Sequence, residues 1–243
     1  MNGPPPVFDC STLFGTAPEA PGKLPVERLL AAMEKNGVAR ALTASVRGAF
    51  FDYAEGNDET LSVTRSHEQL VPVATLDPRA GPDFADEISR MTDQGVRVFR
   101  FFREHQRWPI TLLLFKRCLE QLSGRKAIVM LPHPGEGAYA GLLEVLADVD
   151  LRVVITSVPY SQAREPVCAM QASDRIYLGT RLLSSPTLLG AIRDQVGIER
   201  LLFESGAPMF YMESAIGIVA HSNLEEHERD QVFGANLARM MEA

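Results

Sequence analysis

The side chains best suited to chemistry lie at the ends of short apolar runs spread along this 243-residue chain. Glu204 and His133 are residue types that donate and accept protons in general acid–base catalysis. Arg100 carries a planar guanidinium, which binds carboxylate or phosphate through paired hydrogen bonds. Ser11 and Ser157 offer hydroxyls that could hydrogen-bond a ligand. If these five side chains face one cavity, they would form a site for a small anionic molecule.

Most of these side chains also have a structural interpretation. Glu204 follows the apolar run "RLLF", and a carboxylate inside a protein is unfavourable unless it is paired or protonated. An acid, a base or a ligand anchor is one interpretation of Glu204, and a structural ion pair with Arg100 or another arginine is the other. His133 is either a general base at a pocket rim or a solvated loop residue. Neither serine lies in a GxSxG turn, so a serine nucleophile has little support.

A repeated pattern of apolar run, loop and amphipathic stretch would position these residues. Continuous apolar character is typical of strands buried on both faces, and eight such runs occupy residues 7–12, 39–45, 70–77, 96–102, 127–132, 152–158, 175–181 and 200–206. Helical patterns lie between them, several beginning at proline and ending at glycine. The pattern predicts a single-domain (β/α)₈ TIM barrel over residues 1–243, with its site at the C-terminal ends of the strands.

An open, doubly wound sheet is the alternative architecture. Such sheets commonly carry a glycine-rich phosphate-binding turn after the first strand. The turn here reads "STLFGTAPEAPG" and contains neither GxGxxG nor GxxxxGK. The sequence therefore favours the barrel over a nucleotide-binding sheet.

Composition excludes some classes of partner. The net charge is −7, without the basic patch that nucleic-acid binding requires. No apolar run reaches the roughly 18 residues of a membrane span, and "MNGPPPVF" has no signal-peptide pattern, so we expect a cytoplasmic protein. Three cysteines without CxxC spacing argue against disulfides or a zinc ribbon; we expect Cys10, Cys118 and Cys168 to be buried thiols. A small-molecule ligand and a homo-oligomer are compatible with the sequence.

Several stretches in order resemble the amidohydrolase-related family of metal-dependent hydrolases. The most specific are "VFDCSTLFG", "RLLFESGAP" and the closing "LEEHERDQVFGANLARMM", which includes Asn236. The stretches "LVPVATLDP", "GVRVFRFF" and "LRVVITSVP" between them are also similar to strands of that family. The resemblance implies a TIM barrel with zinc or a similar divalent metal at its mouth.

The metal-ligand motif of that family is absent. Its first strand reads Asp-x-His-x-His, and the two histidine positions are Ser11 and Leu13 here. The histidines that end its fifth and sixth strands correspond to Leu131 and Ser157, and the aspartate of its eighth strand corresponds to Gly206. A catalytic zinc requires about three protein N, O or S ligands, and neutral hydroxyls bind it poorly. We therefore expect no metal and no other cofactor.

Three functions remain open at this stage. The first is a barrel that has lost metal-assisted hydrolysis and binds a small molecule or a partner protein. The second is a metal-independent hydrolase or lyase, lactonase-like or decarboxylase-like, acting on a small carboxylate. Glu204 and His133 would then be its acid and base, and Arg100 its anion anchor. The third is a metal site built from Asp9, His133 and Glu204.

Overall fold

The computed structural model describes residues 6–16, 22–80 and 84–242 of the chain. Eight parallel strands form one sheet in sequential order, each paired with the next along the chain. Their bounds are β1 Val7–Phe14, β2 Val38–Ser45, β3 Leu70–Leu76, β4 Val98–Phe101, β5 Ile128–Pro132, β6 Arg152–Thr156, β7 Ile176–Gly179 and β8 Leu201–Leu202. All eight predicted strands are present, and the (β/α)₈ TIM barrel is confirmed.

Helices follow the strands and cover the outside of the sheet. Their bounds are α1 Val26–Asn36, α2 Val46–Phe50, α3 Tyr53–Ser66, α4 Phe84–Asp93, α5 Arg103–Gln106, α6 Leu113–Leu122, α7 Tyr139–Leu146, α8 Arg164–Ala172, α9 Leu188–Val196, α10 Met212–Ala220, α11 Glu226–Asp230 and α12 Asn236–Glu242. Proline and glycine set the ends of α1, as predicted. Pro25 precedes its first turn, and Gly37 ends it in the left-handed conformation with φ 66°. Of the predicted fourth helix, Pro82 and Asp83 lie outside the described residues.

Backbone hydrogen bonds close the barrel between its last and first strands. Cys10 N donates to Phe203 O and Gly206 N donates to Ser11 O, both at 2.9 Å. The side chain of Asn236, in the closing helix, donates to Ile198 O at 2.8 Å and to Leu201 O at 3.0 Å. The segment after β8 is therefore held between β1 and the C-terminal helix.

The apolar side chains form two cores separated by the sheet. The inner core fills the barrel and includes Cys10, Val98, Met130 and Leu202. The outer core lies between the strands and the helices and is the larger of the two. The correspondence of Leu131 to a metal-ligand histidine of the resembled family predicts that it points into the barrel; it belongs to the outer core instead, so this prediction is wrong. In β5 the inner positions are Ile128 and Met130, since side chains alternate along a strand.

The cysteines only partly match the expectation of buried thiols. Cys10 and Cys118 are buried in the inner and outer core, whereas Cys168 is exposed. The prediction is therefore wrong for Cys168, which lies on the solvent side of α8. None of the helices in the described ranges is long and apolar enough to cross a membrane.

Candidate functional site

A cavity of about 520 Å³ opens at the C-terminal ends of the strands. All five side chains singled out from the sequence line it, namely Ser11, Arg100, His133, Ser157 and Glu204. They come from five separate regions of the chain, each at or just after a barrel strand. Because parallel strands bring their carboxyl ends to one edge of a barrel, these residues meet although up to 193 positions separate them, from 11 to 204.

Glu204 lies at the centre of a polar network and is fully buried. Its Oε2 accepts a hydrogen bond from Ser157 N at 3.0 Å, and its Oε1 accepts from Ser157 Oγ at 3.2 Å. Arg181 Nε donates to the same Oε1 at 3.3 Å, and Arg181 Nη2 also donates to Ser157 Oγ. The carboxylate is thus paired with Arg181 rather than with Arg100.

Arg181 is a site residue that the sequence reasoning missed. It follows Thr180 and is the last residue of the seventh apolar run, "RIYLGTR"; the other site residues also lie within two positions of the C-terminal end of their runs. Its guanidinium also lies over the Phe210 ring, 4.1 Å from the centroid. Selecting the polar side chain at the C-terminal end of the seventh predicted strand, as was done for the other strands, would have identified Arg181.

The backbone around Glu204 is shaped to accommodate its side chain. A Cβ on Gly179 would lie 2.2 Å from Glu204 Oε2, so only glycine leaves room for the carboxylate in this position. Ser157 has φ 61°, a left-handed conformation that is uncommon for residues other than glycine. This conformation lets both the amide and the hydroxyl of Ser157 bond to the same carboxylate.

Arg100 is buried, with 7% of its surface exposed. Its Nη1 donates to Ser11 Oγ at 3.1 Å, and its guanidinium lies 4.6 Å from the centre of the Phe102 ring. Burial lowers the pKa of Arg100 to about 10, and the nearby charge of Glu204 opposes this lowering. Arg100 is therefore still a cation at neutral pH, yet no carboxylate of the described residues lies within ion-pair distance of it.

His133 uses both ring nitrogens inside the protein. Its Nδ1 lies 2.9 Å from Tyr139 Oη, and its Nε2 lies 2.7 Å from Gln162 Oε1. A neutral ring that donates from Nε2 and accepts at Nδ1 satisfies both contacts, since a tyrosine hydroxyl can donate and an amide oxygen can only accept. One of these bonds would have to break before His133 could exchange a proton with a ligand.

Asp9 lies behind the cavity wall rather than in it. Its Oδ1 accepts from Ser11 N at 3.0 Å and from Ser205 N at 3.1 Å, which joins β1 to the segment after β8. Its Oδ2 has no partner among the described residues. Burial raises the pKa of Asp9 to about 7, and the hydrogen bonds from Ser205 and Ser11 oppose this shift.

The donor set does not fit the divalent metal that the family resemblance implies. Within the described residues, no group of three or more histidine, cysteine, aspartate and glutamate side chains is arranged to hold a metal ion. Asp9, His133 and Glu204 each have other partners, as given above. The cavity lining does include Glu104, His105, His133 and Glu204, but among the described residues these side chains do not come together as the three or more ligands that a zinc site needs.

Comparison with known proteins gives matches in structure but not in sequence. No protein-family model matches the chain, and no curated protein matches it significantly. A protein assigned as an amidohydrolase from Staphylococcus aureus superposes with a TM-score of 0.79 at 12% identity, covering 98% of this chain and 99% of its own. A protein assigned as 2-pyrone-4,6-dicarboxylic acid hydrolase from Acinetobacter baumannii, with citric acid bound, gives 0.76 at 13% identity, covering 98% and 100%.

A third similar structure is 5-carboxyvanillate decarboxylase from Novosphingobium aromaticivorans, complexed with manganese and 4-hydroxy-3-methoxy-5-nitrobenzoic acid. Its TM-score is 0.75 at 12% identity, and the alignment covers 98% of this chain and 96% of the decarboxylase. At such low identity the likeness establishes the fold alone. The chain therefore shares its (β/α)₈ barrel fold with these solved structures, matched over almost its whole length.

Proposed function

We propose that the mouth cavity binds a small organic carboxylate, with Arg100 as the counter-ion, and that it does so without a divalent metal. The observation that carries this proposal is the buried Arg100 guanidinium on the cavity wall, which has no carboxylate of the described residues within ion-pair distance. A buried charge is strongly unfavourable unless it is paired. A carboxylate ligand supplies the missing charge and accepts hydrogen bonds from the guanidinium.

No carboxylate in the part of the chain that the structure describes pairs directly with this cation, although the charge of Glu204 acts on it from a distance. Arg181 and Glu204 form an ion pair with each other. Glu104 also lines the cavity but is exposed at the rim, where water screens its charge. Arg100 Nη1 is bonded to a neutral hydroxyl, that of Ser11. The interior of the mouth therefore carries a surplus positive charge, and this favours an anion.

The rest of the lining suits the carbon skeleton of such a ligand. Apolar walls are formed by Leu13, Phe102, Leu182, Met209 and Phe210. A volume of about 520 Å³ lies in the range typical of small-molecule sites, which are mostly apolar with a few polar groups that fix orientation. Two of the similar solved structures are named for substrates that carry carboxyl groups, and one of them contains citric acid. Both facts support a carboxylate ligand.

Calorimetry with matched ligands tests this proposal. Benzoate, 2,6-dihydroxybenzoate and citrate would be titrated into the protein, each beside its neutral amide. We expect binding of at least one carboxylate and none of its amide.

Arg100→Gln should weaken that binding by about 10- to 100-fold, the effect of losing a hydrogen bond to a charged group. Arg125→Gln is the matched control, since Arg125 is exposed at the opposite end of the barrel. Equal affinity in wild type and Arg100→Gln would contradict the proposal.

Elemental analysis tests whether a metal takes part. We expect the purified protein to contain zinc and manganese far below one equivalent per chain, because no three suitable ligands of the described residues are grouped to hold a metal ion. Carboxylate affinity should then be the same before and after treatment with a chelator. One equivalent of either metal, lost together with carboxylate binding on chelation, would refute this part of the proposal.

A metal-independent hydrolase or lyase acting on the bound carboxylate is the second candidate function. The position of Glu204 favours it, since a buried carboxylate beside an open cavity is a common arrangement of acid–base groups. The similar solved structures include a decarboxylase and a hydrolase. Chromatography of the carboxylate after incubation with the protein would detect turnover, and Glu204→Gln should abolish it.

A further inference from the structure

The hydroxyl of Ser157 lies between a carboxylate and a guanidinium at the edge of the mouth cavity. It donates to Glu204 Oε1 at 3.2 Å and accepts from Arg181 Nη2. A serine is a weak nucleophile unless a neighbouring base takes its proton. Glu204 is within reach to take that proton, and Arg181 is the cation that would stabilise the resulting alkoxide. Ser157 therefore has the two neighbours that activation requires.

Ser157 is also accessible from the cavity and has an unusual backbone conformation. It lines the cavity and is only half-buried, so a bound molecule can reach Oγ. Its φ of 61° is unfavourable for a serine, and such conformations persist where the surrounding structure holds them, often at functional sites. Here the Ser157 N–H bond to Glu204 Oε2 holds the strained residue and directs its hydroxyl toward the same carboxylate.

Ser11 provides an internal comparison, because it lines the same cavity without these neighbours. Its hydroxyl accepts from Arg100 Nη1, and no carboxylate of the described residues bonds to it. A cation alone would stabilise an alkoxide but would not remove the proton. The two serines thus differ in whether a carboxylate base contacts the hydroxyl. A nucleophilic serine requires such a base, and of the two only Ser157 has one.

We propose that Ser157 is a catalytic nucleophile, with Glu204 as its base and Arg181 as its stabilising cation, and that the cavity accepts esters or lactones. This inference rests on the proposed function in one respect only: Arg100 would bind a carboxylate group of the same substrate. The absence of a GxSxG turn means that the sequence alone does not suggest this role. The geometry assigns it, since the base, Glu204, follows β8 and the cation, Arg181, follows β7.

The reaction balances without any further cofactor. The Ser157 Oγ–H proton passes to Glu204, Oγ forms a bond to the acyl carbon, and the bond from that carbon to the alcohol oxygen breaks. The protonated Glu204 then gives its proton to the leaving alkoxide. In the second half, Glu204 takes a proton from water and the resulting hydroxide forms a bond to the acyl carbon. The bond from that carbon to Ser157 Oγ then breaks, Glu204 returns the proton to Oγ, and the carboxylic acid is released.

Covalent labelling tests this proposal directly. An alkyl fluorophosphonate reacts with activated serines, which displace fluoride and form a stable adduct that intact-mass and peptide mass spectrometry locate. We expect one adduct, on Ser157. Ser157→Gly should abolish labelling while keeping the backbone conformation, because glycine adopts positive φ without strain. Ser161→Ala is the control, since Ser161 is exposed on the following loop and should be labelled no differently from wild type.

Two further variants separate a catalytic from a structural role. Ser157→Cys keeps a nucleophile and should react with iodoacetamide faster than the exposed Cys168 does. Glu204→Gln removes the base and should slow fluorophosphonate labelling by about 100-fold, a typical general-base effect. Failure of folded wild-type protein to form an adduct at Ser157 would overturn the proposal. So would equal labelling of wild type and Ser157→Gly.

The labelling experiment and the test of carboxylate binding can fail independently of each other. The fluorophosphonate carries no carboxylate, so labelling of the wild-type protein reports on Ser157 alone, and calorimetry reports on carboxylate binding. Labelling without carboxylate binding would refute the first proposal alone. Carboxylate binding without labelling would refute only the nucleophile.

Discussion

Replacing Asp9 with asparagine should remove a large pH-dependent contribution to the free energy of unfolding. Asp9 is fully buried, and burial raises its pKa from 3.8 to about 7. Asparagine has the same shape and keeps the oxygen that accepts from Ser11 N and Ser205 N. The substitution therefore removes the titration while keeping the contacts that join β1 to the segment after β8.

The sign of the effect follows from proton binding. The folded state binds the Asp9 proton more tightly than the unfolded chain, so the stabilisation is complete below about pH 4 and is lost as the pH rises through 7. With about 1.4 kcal/mol per pKa unit, a shift of about three units corresponds to roughly 4 kcal/mol in total. Between pH 5 and pH 8 the contribution of Asp9 should fall by about 2.5 kcal/mol.

Urea unfolding at pH 5, 6, 7 and 8 measures this directly. The free energy of the Asp9→Asn variant minus that of wild type should increase by about 2.5 kcal/mol from pH 5 to pH 8, which would leave the variant relatively more stable at the alkaline end. Asp174→Asn is the control, since Asp174 is exposed and its difference from wild type should stay constant. Parallel pH profiles for wild type and Asp9→Asn would show that Asp9 does not titrate in this range, and the reasoning would fail.

Three other substitutions have definite expected effects on stability, each measurable by thermal and urea unfolding. Gly179→Ala should destabilise by about 1–3 kcal/mol, because its Cβ would lie 2.2 Å from Glu204 Oε2; an unchanged midpoint would show that Glu204 is free to move. Gly217→Ala is the matched change in open space, with its nearest contact at 3.9 Å, and should stabilise α10 by about 0.5–1 kcal/mol. Asn57→Ala should cost about 2–4 kcal/mol, because Asn57 bonds both the N–H and the C=O of Thr75 inside the protein; a loss below 0.5 kcal/mol would contradict this.

The fold could be predicted because strands buried on both faces leave a continuous apolar signal. The least accurate bound is that of the eighth strand, predicted over 200–206 and observed at Leu201–Leu202. After Leu202 the backbone bonds to β1 instead, as the contact from Cys10 N to Phe203 O shows. The pattern of apolar residues does not reveal which neighbouring strand a segment pairs with, so the sequence could not set this bound.

The inward-facing residues could be predicted only where the strands are regular. In β4, alternation correctly places Arg100 toward the cavity, and Glu204, two residues after Leu202 of β8, also faces it. In β1 the register shifts between Asp9 and Thr12, so that Cys10 lies in the inner core although Ser11 lines the cavity. A bulge changes which residues face inward, and the residue types of β1 do not indicate that a bulge is present.

The partner of Glu204 also depends on information that the sequence does not contain. Arg100 and Arg181 both end barrel strands, and either could have neutralised the carboxylate. The order of the strands determines which arginine pairs with Glu204, because β7 lies directly beside β8 whereas β4 lies across the barrel. Adjacent strand ends therefore hold the ion pair, and Arg100 is left on the far wall without a carboxylate.

This separation of two arginines gives a physical account of how the mouth could act without a divalent ion. A metal at a barrel mouth supplies concentrated positive charge that orients a substrate and stabilises the anion that develops on it. Here no carboxylate of the described residues lies within ion-pair distance of Arg100, and Arg181 places a second cation on the Ser157 hydroxyl. Because guanidinium groups stay charged and present hydrogen bonds in fixed directions, one arginine can hold a carboxylate while the other stabilises an oxyanion. We infer that the two arginines divide between them the roles that one metal ion would combine, and that losing either should affect a different step.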